Sequence, residues 1–95
     1  MKVAGKQMIT REAEAIIQGE RQGDYGHPVD NMRRIAAAWK PIFEDGVVTP
    51  SKVALAMVAL KLVREIGPTQ KRDNLVDAVG YLLIADMFND EETPR

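Results

Sequence analysis

The sequence predicts an all-α domain, a compact bundle of about four helices completed by homo-oligomerisation. Three observations lead there. Apolar residues recur at helical spacing in four segments parted by short breakers, and no run alternates as a strand does. Val53 to Val63 is apolar nearly all round, Lys61 excepted, which is the pattern of a central helix covered on every side. The last two helices also carry more apolar surface than two short helices can cover, which favours a second copy of the chain. The 95 residues fit one domain, 1–95, with flexible ends expected at 1–8 and 89–95.

The first helix is expected from about Arg11 to Glu20, with Thr10 as its N-cap. Ile9, Ala13, Ile16 and Ile17 form its apolar stripe, and Glu20 falls on the same stripe at the last turn. Glu12 sits at the margin and Glu14 points nearly the opposite way. A polar loop follows, Arg21 to His27, whose two glycines suit an irregular path. Pro28 opens the second helix. Val29, Met32, Ile35, Ala36, Trp39, Ile42 and Phe43 recur at helical spacing, but Pro41 predicts a break near Lys40. Thr49 caps the third helix, Pro50 lies in its first turn, and Gly67 with Pro68 ends it. The fourth helix is expected to start at Asp73 as N-cap and to reach about Phe88.

Composition narrows the function classes. Thirteen basic residues balance fourteen acidic ones for a net charge of −1, which argues against general DNA binding but allows a local basic pocket. The absence of cysteine removes disulfides, thiolate metal sites and cysteine nucleophiles. The N-terminal segment has no apolar core of signal-peptide length, and the run Val53 to Leu60 is too short to span a bilayer. A cytoplasmic protein with no membrane contact is expected.

The chemistry-bearing residues concentrate between Lys61 and Leu83. Asp73 and Asp77 are one turn apart, about 5–6 Å on a helix, and repel unless a cation lies between them. Mg²⁺ suits such a pair because it takes one or two carboxylates and keeps waters for phosphate oxygens. Alternatively Asp73 is only a cap, and Asp77 pairs with Lys61, Arg64, Lys71 or Arg72. Asp77 lies mid-helix among apolar neighbours, where Asp is poor without a partner. Lys61 and Arg64 could receive phosphates while Glu65 completes the metal shell. Alternatively Lys61 and Glu65 simply make an i,i+4 pair, and Arg64, near the helix C-terminus, complements the dipole. The loop offers Arg21, Tyr25 and His27 as charge, stacking ring and imidazole, or simply a helix connection with Tyr25 folded inward. His27 is not assigned as a general base. Asn31, at the edge of an apolar stripe, could bond a ligand or bridge helices. No Walker loop, dinucleotide fingerprint, HExxH helix or EF-hand is present.

The segments GERQGDYGHPVDNMRRIAAAW, VTPSKVALAMVALKLVRE and KRDNLVDAVGY resemble a small phage and prophage family of unknown function over roughly Ile9 to Ala85. Its pattern is an R-x-x-x-YG-x-P loop, a K-x-x-R helix and D-N-x-x-D-x-x-GY. Here these fall on Arg21, Tyr25, Gly26 and Pro28, then Lys61 and Arg64, then Asp73, Asn74, Asp77, Gly80 and Tyr81. More distantly, the last helix is similar to the closing motif of MazG-like all-α nucleoside triphosphate pyrophosphohydrolases. That resemblance implies Mg²⁺ held by Asp73 and Asp77, phosphate contacts from Lys61 and Arg64, and release of pyrophosphate by an activated water. Those enzymes also carry an E-E-x-x-E cluster on an earlier helix, which this chain lacks. Glu20 and Glu65 would have to repair it.

The resulting expectation is a Mg²⁺-dependent nucleotide pyrophosphohydrolase. Glu65 and Asp77 would be catalytic, and Asp73, Asp77, Glu65 and Glu20 would hold metal. Arg21, Tyr25, His27, Asn31, Lys61, Arg64 and Tyr81 would bind the nucleotide. The alternatives are a helical oligomer that sequesters a nucleotide or nucleotide-derived signal, and a module that docks on a host protein.

Overall fold

Thr49 and Pro50 show how local chemistry sets the frame. The Thr49 hydroxyl accepts a hydrogen bond from Lys52 N at 3.2 Å, and Pro50 takes the first helical position, where no N–H is needed. The computed structural model describes residues 3–92, with side chains described for 9–89. Five helices run along it: α1 (Val3–Gln18), α2 (Glu20–Tyr25), α3 (Pro28–Trp39), α4 (Pro50–Glu65) and α5 (Arg72–Glu92). No strand occurs among the described residues.

Helix α4 is the centre of the bundle. Helix α5 packs along one side of it and α3 along another, while α2 touches α3 and α1 rests mainly on α2. The core is small: Ile35, Ala54, Ala56, Val58, Ala78 and Ala85 are buried. Its alanines let α4 and α5 approach closely. On the other side, the Trp39 indole N–H donates to the Ala56 carbonyl at 2.7 Å, and Trp39 meets Phe43 edge to face.

Several sequence expectations change here. The polar segment expected as a loop is largely the short helix α2. The breaks fall at its two ends, at Gly19 and at Gly26, where φ is +80°. A Cβ at Gly19 would lie 2.7 Å from the Ala15 carbonyl, so the α1–α2 junction requires glycine. Helix α5 starts at Arg72, which puts Asp73 inside the first turn, not at the N-cap. The N-cap of α3 is His27, whose Nδ1 accepts from Val29 N at 3.2 Å. The break near Lys40 occurs as expected, with α3 ending at Trp39.

The bundle is not compact. Its radius of gyration is 16.9 Å, against about 12 Å for a close-packed chain of this length. Helix α4 is central but not covered on every side, because Val53, Leu55 and Leu62 stay exposed. Helix α1 begins at Val3 and α5 reaches Glu92; residues 1–2 and 93–95, part of the ends expected to be flexible, lie outside the described residues.

Candidate functional site: an arginine-flanked tyrosine cleft

Tyr25 ends α2, and the connection between α4 and α5 holds that end in place. The Lys71 ammonium lies 2.7 Å from the Asp24 carboxylate. Thr69 N donates to the Asp24 carbonyl at 3.3 Å, and the Thr69 hydroxyl donates to the Gly23 carbonyl at 3.4 Å. Gly67 lets the two backbones come this close: a Cβ there would stand 3.1 Å from the Arg64 carbonyl and 3.6 Å from that of Asp24. The hydrogen bond to Asp24, then its charge, raises the Lys71 amine above the ordinary lysine value.

This clamp brings Arg64, in the last turn of α4, over the Tyr25 ring. Its guanidinium carbon is 4.9 Å from the ring centroid, and that of Arg21 is 6.0 Å away. Neither arginine has a carboxylate partner among the described residues. Arg64 Nε is buried without an acceptor. Tyr25 and Arg21 line two adjoining clefts. One, of about 240 Å³, is also walled by Ile17, Gln22, Asn31 and Met32. The other, of about 350 Å³, is walled by Ile16, Glu20, Asp24 and Lys71. Asn31 is 5% exposed, yet its side-chain amide has no hydrogen-bond partner among the described residues.

The carboxylates behave differently. Asp77 Oδ2 is neutralised by Lys61 Nζ at 3.0 Å, not by Arg64. Glu65 does not pair with Lys61. Its Oε1 accepts from Lys71 N at 2.9 Å and from the Asn74 amide at 3.4 Å, fastening the start of α5 to the end of α4. Asp73 is exposed in the first turn of α5, and Glu20 opens α2 beside the larger cleft. Among the described residues no three His, Asp or Glu side chains gather as a metal-holding group. Glu20, Glu65, Asp73 and Asp77 are thus not gathered as a group of three or more among the described residues.

Of the ligand-binding candidates, Arg21, Tyr25 and Asn31 line the first cleft, and Arg64 lies over the Tyr25 ring. His27 is occupied at Nδ1 by capping α3. Tyr81 is half-buried and, with Asp77, Gly80 and Ile84, borders a separate open groove of about 410 Å³ on α5. Lys61 is tied to Asp77. The sequence offers Lys71 as a partner for Asp77; its pairing with Asp24, far away in the chain, and the structural part of Asn74 were not expected. The available sign was that Asn74 lies on the same side of α5 as the buried Ala78.

The fold and site define an all-α bundle with adjoining clefts lined by Arg21 and Tyr25. The chain belongs to the family described as Domain of unknown function (DUF6378), which matches over residues 8–89. It is similar to the Gene 55 protein of Mycobacterium phage L5, at 34% identity over 90 residues, covering 92% of this chain and 58% of that protein. The Gene 55 protein of Mycobacterium phage D29 is 36% identical over 73 residues, covering 77% of this chain and 48% of that protein. The chain thus spans about half the length of these phage relatives. No solved structure matches it. No described helix is long and apolar enough to cross a membrane.

Proposed function

We propose that this protein binds a small ligand that joins a planar ring to phosphate, with nucleotides as the ligand class, and that it does so without hydrolysing it. The observation that carries this reading is the Tyr25 ring flanked by two arginines with no carboxylate partner, with Arg64 Nε buried without an acceptor and Asn31 lining the cleft beside the ring. Guanidinium groups bind phosphate oxygens through paired N–H bonds. A tyrosine–arginine stack offers a flat surface to a base. An asparagine amide can donate to and accept from a base edge at once.

The carboxylates favour binding over turnover. Pyrophosphate release by a MazG-like route needs acids free to hold Mg²⁺ and orient water. Asp77 and Glu65 are engaged in holding α5 to α4.

Calorimetry of the full chain against nucleoside mono- and triphosphates and cyclic nucleotides, with EDTA present, tests this. Binding is expected to at least one of them, with the ligand recovered intact. Arg64→Ala should weaken it by roughly tenfold or more, the loss of one charge-assisted bond pair. No binding to any member, or pyrophosphate release on adding Mg²⁺, overturns the reading.

A further inference from the structure

Between Leu75 and Phe88 helix α5 carries apolar residues on every side, interrupted by Asp77 and Asp86, but is covered on one side only. Asn74, Ala78 and Ala85 are buried, with Tyr81 and Phe88 half-buried, and α4 is the helix against which α5 mainly packs. The opposite face exposes Leu75, Val76, Val79, Leu82, Leu83 and Met87. A helix without a polar face belongs inside a structure, not at its surface. The total accessible surface is 7102 Å², whereas a compact chain of this mass exposes about 5,500 Å².

We infer that the outer face of α5 pairs antiparallel with α5 of a second copy of this chain, centred on Val79. The first reason is the core, in which no large side chain is fully buried. A chain so short of internal cover needs its partner whenever it is folded, and a second copy is the partner present at equal concentration in every setting. The second reason is charge register. On the outer face, among residues with described side chains, the charged ones are Arg72 at one end and Asp86 near the other, and neither forms an ion pair among the described residues. Antiparallel pairing about Val79 sets Arg72 against Asp86 of the other copy, Leu75 against Leu83 and Val76 against Leu82. A parallel pairing sets like charges together. The third reason is room: a Cβ on Gly80 would meet nothing within 4 Å, so the side chains of an approaching helix find space beside it. The pairing does not depend on the ligand reading, because it uses none of the cleft residues.

Sedimentation equilibrium of the full chain should give twice the 10.6 kDa chain mass, and thermal unfolding should shift upward with concentration. Arg72→Glu should weaken the dimer by about tenfold, since two equivalent charge pairs become repulsive. Arg72→Glu combined with Asp86→Arg should restore it, which separates pairing from misfolding. The chain has no cysteine, so Val79→Cys should oxidise to a covalent dimer while Ile66→Cys, exposed elsewhere, should not. A monomer at all concentrations, no rescue by the charge swap, or equal cross-linking at both positions overturns the inference.

Discussion

Lys61 and Asp77 form an ion pair of 3.0 Å that joins the last turns of α4 to the second turn of α5. Lys61 is the more enclosed partner, with its side chain 17% exposed against 47% for Asp77. Removing the acid therefore leaves a largely covered ammonium without its counter-charge. Asp77→Ala should destabilise the fold by about 1 kcal/mol, near the upper end for partly exposed pairs. Lys61→Met with Asp77→Leu should recover most of that loss, because the neighbours are apolar. Urea denaturation of the three proteins checks both statements.

Glu65 and Asn74 fasten the two helices a turn further along, with the carboxylate accepting from the Asn74 amide and from Lys71 N. Asn74→Asp sets two acids face to face in a site only 3% exposed. It should cost about 2 kcal/mol at neutral pH and less in mild acid, where one of the pair is protonated. Stability measured at pH 7 and pH 5 checks this; an equal loss at both would refute it.

Lys52 donates to Asp45 at 2.6 Å, and Val47 N donates to the same carboxylate at 3.0 Å. The Lys52 hydrogen bond, then the Val47 one, hold the Asp45 carboxyl below its ordinary value of 3.8. A lowered folded value means that its contribution is complete above about pH 3.8 and disappears as pH falls through the folded value. Lys52→Met should move the Asp45 titration back toward 3.8 in an NMR titration.

The Lys71–Asp24 pair has the opposite sign. Its raised lysine value means that its contribution is complete below about pH 10.5 and disappears as pH rises through the folded value. If this pair positions Tyr25, Lys71→Met should weaken ligand binding while Lys71→Arg largely preserves it. Calorimetry of the two variants decides the point.

Gly19 separates α1 from α2, and a Cβ there meets the Ala15 carbonyl at 2.7 Å. Gly19→Ala should cost about 1–3 kcal/mol, since the clash is with backbone and cannot be relieved by a rotamer change. Gly23→Ala, where a Cβ meets nothing within 4 Å, should be tolerated or mildly stabilising. Thermal unfolding of the pair separates steric need from loop composition.

Helix starts at Pro28 and Pro50, and the stop at Trp39, were legible in the sequence because caps and prolines act within one turn of the residue that carries them. The segment from Arg21 to Tyr25 was read as loop because its glycines weigh against a helix. Tertiary bonds from Thr69 and Lys71 hold it helical instead. The candidate binding residues Arg21, Tyr25, Asn31 and Arg64 were also legible by type, as charge, ring and amide at apolar edges. Their meeting was not, since Tyr25 and Arg64 are 39 positions apart and are brought together by bonds from Thr69 and Lys71 to the end of α2.

The sequence by itself determined an all-α chain, its main breaks, and a short set of residues able to bind phosphate or metal. Periodicity, caps and composition are local, and local rules suffice for them. Only the tertiary structure decided how those residues are used. It gave Asp77 to Lys61 and Glu65 to Asn74, and it left Arg21 and Arg64 on Tyr25 without an acid. Side chains one turn apart on paper have several possible partners, and which one neutralises a charge depends on how neighbouring helices pack.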